Sequence, residues 1–364
     1  VVIFIFFLVY TTSAFVSGGK LFQVVFNIDS SNETYTKAAV IISALIIIIY
    51  TFLGGFNAVA WTDLVQGLLM FFTIVALPIA LITATPDFSW EMVTATPKMV
   101  GTNEFASGYA SLVSGRGANS IISDLAWALG YFGMPHILVR FMAIKDAKSV
   151  KKSAIIAIVW VIISLGAAVL IGILGRVYLD SIGVVLIDTQ QELIFIDVVK
   201  RLFLSAVLAS IMSTADSQLL VTASAVVNDF YKVIVKKETS DKKLMWISRG
   251  AVMLISVIAC ILALNPQDTI MGIVSNAWAG FGAAFGPAII LSLYWRRLTL
   301  KGTVAGIIGG AATVIVWEYV LHWSGMLYSI VPGFIVSILL TVIVSLIDKE
   351  PSDEVKALFD EAKK

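Results

Sequence analysis

The sequence predicts an all-α polytopic membrane protein. Of its 364 residues, 59% are hydrophobic and only 13% are charged, whereas an ordinary soluble domain carries about 25% charged residues. Apolar segments of roughly 20 residues, the length that crosses a hydrocarbon core of about 30 Å, recur along the whole chain. We therefore expect the chain to cross a lipid bilayer many times.

Ten segments have the apolar character and length of a membrane span. They lie at 1–26, 37–54, 57–83, 119–142, 153–178, 202–231, 244–264, 270–295, 303–321 and 327–347. The last residues, 348–364, are mixed in charge and favour a short helix from Ser352. We predict a transmembrane domain at 1–347 and a tail at 348–364.

The charges of the loops predict an orientation. The connections after the fourth, sixth and eighth spans are basic, and the connections on the opposite side are acidic or nearly neutral. Because short basic loops remain in the cytoplasm, we expect these three connections and the tail after Ile347 to be cytoplasmic. The first span then runs from inside to outside, in the plasma or inner membrane of the cell.

Several classes of protein are disfavoured by what the sequence lacks. It begins "VVIFIFFLVY", without an initiator Met, a basic n-region or a cleavage site, so we expect the amino-terminal part to be absent. The single Cys260 excludes an intramolecular disulfide, and the two histidines argue against a histidine-based metal or haem site. Without a nucleophile elbow, phosphate loop, dinucleotide fingerprint or HExxH motif, we expect no enzyme. We expect no nucleic-acid partner either.

The sixth span carries an unusual concentration of polar side chains. At 100° per residue these side chains form one narrow stripe with two flanks. The stripe contains Ser210, Ser213, Ser217 and Ser224, with Thr214 and Gln218 on one flank and Asp216 on the other. A carboxylate within a bilayer costs roughly 2.5 to 3.5 kcal/mol on insertion scales, so it marks a functional site by default. Hydroxyls and carbonyls beside it are hard oxygen ligands, which favours ion binding.

The fourth span predicts a helix that is interrupted in mid-membrane. Its motif "WALGYFGMPHILVRF" places Gly130, Gly133 and Pro135 within six residues, and a proline kink is the alternative. Trp127 and Tyr131 are four residues apart and share a helix face. This aromatic pair is a candidate wall for a small solute, with plain packing as the alternative. In the eighth span, "AWAGFGAAFGP" favours close packing through small residues.

Two further polar residues are weaker candidates. Asp63 lies about two turns into the third span near its cytoplasmic end, where it could serve a passing cation or solvate a helix end. Tyr10 lies mid-span in the first helix and is a candidate for the solute cavity, although packing is the simpler interpretation. The basic residues of the spans lie toward span ends, where long side chains reach water. A zwitterion, with its carboxylate held by free amides of a half-helix, therefore suits the chain better than a strongly anionic substrate.

Four motifs resemble a known family of transporters. They are "TFLGGFNAVAWTDLVQGLLMF", "AWALGYFGMPHILVRFMA", "AVLASIMSTADSQLLVTASAVVNDFYK" and "NAWAGFGAAFGPAIILSLYWRR". In this order they closely resemble the sodium:solute symporter family, and within it the sodium/proline symporters. The resemblance covers nearly all of the chain up to the tail. It implies a LeuT-type fold of two inverted five-helix repeats with thirteen transmembrane helices, of which the ten spans would be the last ten.

The resemblance also implies roles for the residues of the sixth span. Ser213 and Thr214 match the hydroxyl pair that binds sodium, and Ser210 matches a neighbour that contributes its backbone carbonyl. Ser217 and Asp216 match a second sodium site found in some members, together with the carboxylate of Asp63. Asp216 departs from members that have a hydroxyl there, so it could strengthen a second cation site, bind a proton, or pair with a polar neighbour.

On the substrate side, Trp127, Tyr131 and Pro135 match the family's positions on the interrupted helix, and Tyr10 matches a tyrosine that faces the same cavity. The function implied is sodium-coupled symport of a small zwitterion by alternating access, with L-proline as the favoured substrate and Na⁺ as the coupling ion. Because the first core helices would supply the other half of both sites, this stretch of chain is not expected to transport alone.

Other functions remain open at this stage. A symporter of the same family for another amino acid, a monocarboxylate, pantothenate or a sugar is the first alternative. A transporter-like sensory domain fused to a kinase is the second, and a redox or antiporter subunit is the third.

Overall fold

The computed structural model describes residues 1–29, 32–95, 115–142, 144, 146–184, 215, 218–232 and 240–362. All regular secondary structure within these ranges is helical. The first helices are α1 (Val2–Val25), α2 (Glu33–Ala84), α3 (Trp90–Thr94), α4 (Ala118–Gly130), α5 (Pro135–Met142) and α6 (Ala147–Ser181). They are followed by α7 (Gln218–Asn228), whose last residues join a π turn at Val226–Tyr231. The remaining helices are α8 (Asp241–Ala263), α9 (Ile270–Tyr294), α10 (Leu300–Ile315) with a π turn at Val316–Val320, α11 (Ile330–Ile347) and α12 (Asp353–Ala362).

Seven helical segments in the described part of the chain are long and apolar enough to cross a membrane. They coincide with the predicted first, third, fifth, seventh, eighth, ninth and tenth spans, and so confirm their helical character. Of the sixth span, 202–231, the structure describes residue 215 and residues from Gln218 onward, all of them helical.

The predicted boundary between the second and third spans is wrong. Helix α2 runs without a break through 52 residues, a length of roughly 78 Å at 1.5 Å per residue. Glycines at the expected boundary lower helix propensity by only about 1 kcal/mol each and leave every backbone hydrogen bond possible. Even Pro78 is accommodated inside the helix. A pair of glycines is therefore too weak a signal to end this helix.

The predicted interruption of the fourth span is confirmed. Helix α4 ends at Gly130 and α5 begins at Pro135, so the chain has two half-helices rather than one kinked helix. The eighth span is confirmed as a closely packed helix, since every residue from Ala277 to Ala284 is buried.

The chain divides into two compact units. The split-helix unit contains Val1–Tyr10, Arg116–Ala143 and Met271–Lys364, and the long-helix unit contains Thr11–Gly115 and Ile144–Ile270. The two halves of the interrupted helix belong to the first unit, together with α9 to α12.

The long-helix unit has a core between α1, α2 and α6. Its leucine and isoleucine side chains are at most 2% exposed: Leu21, Leu77, Leu81, Ile171, Leu174 and Leu179. Beyond this core, Phe71 of α2 packs on Trp160 of α6 with 4.8 Å between ring centroids. Arg176 of α6 donates hydrogen bonds to Asp180 and to the Met92 carbonyl of α3. The polar end of α6 thereby holds the short helix α3.

In the split-helix unit, α10 packs on α11 through small residues. Gly306 lies so close to Thr341 that an added Cβ would overlap its hydroxyl, and a Cβ on Gly302 would overlap the Ser345 hydroxyl in the same way. Since lipid tails are as apolar as leucine, helices in a membrane associate mainly through such close van der Waals contact. These glycines allow the two backbones to approach closely.

The short helix predicted from Ser352 is present as α12, and ion pairs connect the tail to the loop after α9 and to the first turn of α10. Arg296 pairs with Asp360 at 2.6 Å and Lys301 with Asp348 at 2.9 Å. Lys356 donates a hydrogen bond to Glu350, which lowers the pKa of Glu350 below its ordinary value of 4.5, and Lys301 lowers the pKa of Asp348 in the same way. A depressed carboxyl pKa means that the contact is complete above the ordinary pKa and is lost as the pH falls through the depressed value. The Lys301–Asp348 and Lys356–Glu350 contacts are therefore intact at neutral pH.

We predict that salt and Arg296→Ala both release α12. Exposed ion pairs are individually weak and are screened by salt, because the Debye length falls from about 10 Å at 0.1 M to about 3 Å at 1 M. Limited chymotryptic cleavage beside Phe359 should become several times faster in high salt, and in the variant at low salt. Glu354→Gln removes a charge from the same helix without touching Arg296, and it should leave the rate unchanged. A cleavage rate that is the same in low and high salt, and the same in Arg296→Ala, would contradict the prediction.

Candidate functional site

The backbone of the interrupted helix changes its hydrogen bonding at Gly130. The Tyr131 amide donates to the Ala128 carbonyl at 3.3 Å, three residues back, and the Gly133 amide donates to the Gly130 carbonyl at 3.0 Å. The α-helical pattern of bonds to the fourth preceding residue ends here. Four residues, 131–134, connect the two half-helices.

The start of α5 is already partly satisfied by its own backbone. Pro135 has no amide hydrogen, and the Ile137 and Leu138 amides both donate to the Met134 carbonyl at 3.1 Å. The expectation that a half-helix offers free amides to a carboxylate therefore does not apply to Ile137 and Leu138.

Four aromatic side chains form a column beside the break. The Trp127 ring is stacked on Trp278 with 5.3 Å between centroids and an interplanar angle of 14°, and on Tyr328 with 6.1 Å and 17°. Tyr131 meets the Trp278 ring edge-on, at 4.9 Å and 84°. We call Tyr328, Trp127, Trp278 and Tyr131 the aromatic column. Pairs of this kind contribute about 0.5 to 1.5 kcal/mol each beyond the area that they bury.

Polar atoms of the column are bound to backbone and side-chain partners. The Trp278 indole nitrogen donates to the Trp127 carbonyl at 2.9 Å. The Tyr328 hydroxyl donates to the Ser275 carbonyl at 2.7 Å, and its amide donates to the Ser123 hydroxyl at 3.0 Å. Trp278 is only 6% exposed, whereas Tyr131 is 45% exposed. The column is thus anchored at its buried members and open at Tyr131.

Glycines at the break allow α9 to touch it. A Cβ on Gly130 would overlap the indole nitrogen of Trp278, and a Cβ on Gly133 would overlap the Phe281 carbonyl. On α9, a Cβ on Gly282 would lie 2.8 Å from the Cα of Gly130. The glycines of the motif are therefore needed here for close approach between two helices.

The structure brings some of the predicted substrate residues together. Trp127 and Tyr131 contact the same indole ring. Pro135 is buried at the first position of α5. Tyr10 packs against His136, the residue after Pro135, with 6.3 Å between ring centroids. The column therefore contains two of the four residues, and the other two lie along α5 and α1.

The positions of the predicted sodium ligands cannot be compared with the structure. Their positions fall outside the described residues: Ser210, Ser213, Thr214, Asp216 and Ser217. Asp63 lies in α2, but its side chain is outside the described part of the structure. The cation sites stay predictions.

Gln218, on the flank of the predicted stripe, lies within the described residues and has a buried amide side chain without hydrogen-bond partners there. Its side chain is 1% exposed, and neither amide atom has a hydrogen-bond partner in the described structure. The Thr222 hydroxyl donates to its backbone carbonyl at 2.7 Å. A buried amide without partners is costly, so the helix carries uncompensated polar groups one turn beyond Thr214.

Sequence reasoning missed Trp278 and Tyr328. The signal for Trp278 was present, because it is the single indole in the small-residue run 277–287. A buried indole N–H needs an acceptor, and an interrupted helix has carbonyls without helical donors. These grounds could have suggested a hydrogen bond from the Trp278 indole to a carbonyl of the interrupted helix. They would not have identified Trp127 as the residue that supplies the carbonyl.

Comparison with known proteins identifies the family. The family model described as "Sodium:solute symporter family" matches residues 1–310. The chain belongs to the sodium:solute symporter family. It is an integral membrane protein.

Similar proteins with assigned functions are transporters of proline. The osmoregulated proline transporter OpuE of Bacillus subtilis is 44% identical over 371 aligned residues, covering 98% of this chain and 72% of that protein. The sodium/proline symporter of Escherichia coli is 38% identical, covering 99% of this chain and 71% of that protein.

A solved structure shares the fold. It is the substrate-bound outward-open state of a Na⁺-coupled sialic acid symporter, with a TM-score of 0.71 at 18% sequence identity. The match covers 96% of this chain and 75% of that one. It confirms the predicted all-α fold class of the LeuT type.

We predict that Gly130→Ala destabilises the protein. The added methyl group overlaps the Trp278 indole, and overpacking of this kind typically costs about 1 to 3 kcal/mol. Thermal unfolding of the purified protein in detergent should shift to lower temperature. Gly166→Ala in α6 is the control, because its added methyl group meets nothing within 4 Å, and it should leave the transition unchanged or slightly higher. Equal shifts in the two variants would show that the indole contact is unimportant.

Proposed function

We propose that this protein is a sodium-coupled symporter whose substrate is L-proline, and that it is not an enzyme. The observation that carries the proposal is identity of 38% and 44% to proline transporters over nearly the whole chain. A second B. subtilis relative, the high-affinity proline transporter PutP, is 40% identical over 99% of this chain. Membership of a sodium:solute symporter family supports Na⁺ as the coupling ion.

The aromatic column supports a small, partly apolar substrate. Proline has an apolar ring and a cationic secondary amine. The exposed Tyr131 ring and the neighbouring Trp127 offer aromatic surface to the pyrrolidine ring, and an aromatic face attracts a cation by about 0.5 to 2 kcal/mol. Pro135 ends the connection between the half-helices, and Tyr10 lies beside α5. We assign all four residues to the substrate side.

For the coupling ion, we propose a sodium site at Ser213 and Thr214 with the backbone carbonyl of Ser210. Ser217 and Asp216, with Asp63, form a second cation site. Their hydroxyl, carbonyl and carboxylate oxygens are hard ligands suited to Na⁺. The Gln218 amide, which has no hydrogen-bond partner among the described residues, supports a polar role for this helix.

The coupling follows from differential affinity. Sodium promotes transport by binding the outward-open state more tightly than the inward-open one. The two repeats then rock around the midplane site and expose it to the other side. The membrane potential contributes about 2.3 kcal/mol per charge per 100 mV to the inward movement of Na⁺.

The tail contacts support a cytoplasmic carboxyl-terminal segment. Arg296 and Lys301 pair with Asp360 and Asp348, so the tail and the basic loop after α9 lie on the same side of the membrane. The positive-inside rule assigns that basic loop to the cytoplasm. We therefore propose a multi-pass protein of the plasma or inner membrane with its tail inside.

A different substrate of the same family is the second candidate. It is favoured by the fold shared with a Na⁺-coupled sialic acid symporter, which shows that the fold alone does not define the solute. The choice between substrates depends on side chains, and the high identity to proline transporters favours proline.

We predict that vesicles carrying the full-length protein take up labelled proline when sodium is outside, and far less when potassium replaces it. Lithium tests the ion preference in the same assay. Unlabelled proline should compete with the label, whereas an unrelated sugar should not. Absence of sodium-stimulated proline uptake, with sodium-dependent uptake of another solute, would contradict the proline assignment and leave the symporter assignment in place.

We predict that Ser213→Ala and Thr214→Ala raise the sodium concentration for half-maximal uptake by about tenfold or more. Each removes a hydroxyl ligand, and a loss of about 1.4 kcal/mol corresponds to a factor of ten. Ser224→Ala is the matched control, because Ser224 lies on the same stripe, is exposed and accepts a hydrogen bond from Asn228 at 3.0 Å. It should change the sodium dependence less than twofold. Equal effects at the three positions would mean that the stripe serves packing only.

A further inference from the structure

We infer that Trp278 is the positioning residue of the substrate site, and that its indole sets the geometry of the break between α4 and α5. The inference rests on the proposed symport function for its kinetic consequence. The structural part stands on contacts within the split-helix unit.

The first contact replaces a missing helical bond. In an unbroken helix the Trp127 carbonyl would accept from the Tyr131 amide. Here the Tyr131 amide donates to the Ala128 carbonyl instead, and the Trp278 indole donates to the Trp127 carbonyl at 2.9 Å. An unsatisfied carbonyl at membrane depth is strongly destabilising, because no water is there to bind it. The indole thus stabilises the interrupted form of the helix.

The second contact is with both aromatic residues that flank the break. The same indole ring lies flat on Trp127 and meets Tyr131 edge-on. Trp127 and Tyr131 are one helical turn apart, so a single side chain determines the relative placement of two proposed substrate residues. A shift of the indole would move both aromatic residues at the α4 side of the break.

The third observation concerns the rigidity of the indole. Trp278 is 6% exposed, and its neighbours in α9 from Ala277 to Ala284 are all buried. One turn further along α9, Gly282 lies against the Cα of Gly130. Two successive turns of α9 therefore contact the break, and the ring has little space to turn.

The matched comparison is between two tryptophans with the same kind of bond. Trp278→Phe keeps an aromatic ring and removes the N–H donor. Trp317→Phe removes an equivalent indole bond in the same unit, to the Leu327 carbonyl at 2.9 Å beside Tyr328, and the Trp317 ring packs on Trp323 rather than on the residues of the break. Both variants should fold, and their expression and elution from a sizing column provide the first check.

The kinetic test separates positioning from general damage. We expect Trp278→Phe to raise the KM for proline by about tenfold, because without the indole donor only about a tenth of the molecules would hold the break in its binding geometry. The maximal rate and the sodium concentration for half-maximal uptake should change less than about twofold, since the proposed sodium ligands lie on another helix. Trp317→Phe should leave all three values near those of the parent protein. An unchanged KM in Trp278→Phe, or an equal rise in Trp317→Phe, would overturn the inference.

A second test does not depend on transport. In a Cys260→Ser background, Phe132→Cys places a thiol in the connection between the half-helices, where Phe132 is 47% exposed. Adding Trp278→Phe should change the rate of maleimide labelling at position 132 several-fold, whereas adding Trp317→Phe should not. If proline is not the substrate, this labelling difference still appears, and only the KM test fails. If labelling is unaffected by Trp278→Phe, the positioning role is wrong whatever the substrate.

Discussion

The carbonyl oxygen of Trp127 is the backbone group on which the split-helix unit depends. A helix that stops inside a membrane releases carbonyls that no water in the hydrocarbon can satisfy. Here the released carbonyl accepts a hydrogen bond from an indole on another helix. The interruption is consequently a tertiary feature, because its stability comes from α9 as much as from the residues at the break. The glycines at positions 130 and 133 make this possible by letting α9 approach the backbone.

Close approach between helix backbones also explains how the other helices of the split-helix unit pack together. Lipid offers apolar contacts of its own, so large side chains gain little by facing each other, and small residues gain more by bringing backbones together. The α10 and α11 contact uses glycine against threonine and serine, and α9 uses glycine and alanine against the break. Outside the membrane the contacts are between charges: an exposed ion pair at 2.6 Å attaches the tail helix through Asp360, and a second at 2.9 Å attaches Asp348 before it.

The sequence predicted those features that depend on local chemistry. Gly130, Gly133 and Pro135 together were enough to predict the break, because proline removes a donor and glycine permits close approach. The glycines of α2 were misleading, since a glycine lowers helix propensity but keeps its own backbone donor and acceptor, and so does not by itself end a helix. The partner of the Trp127 carbonyl could not be predicted, because Trp278 is 151 residues further along the chain. The sodium ligands come from a resemblance, and their geometry lies outside the described residues.

Because Trp278 contacts both Trp127 and Tyr131, it constrains how the substrate site can move. If the inward and outward states differ in the angle between α4 and α5, the Trp127 carbonyl must keep its indole donor or exchange it for another. Keeping it requires α9 and the end of α4 to move together, because the indole is buried and closely packed. Exchanging it exposes a carbonyl during the transition, at a cost of several kcal/mol. Movement of α9, the end of α4 and the Trp127 ring as one body is therefore the less costly path. On that path α5 is the part of the interrupted helix that remains able to change position.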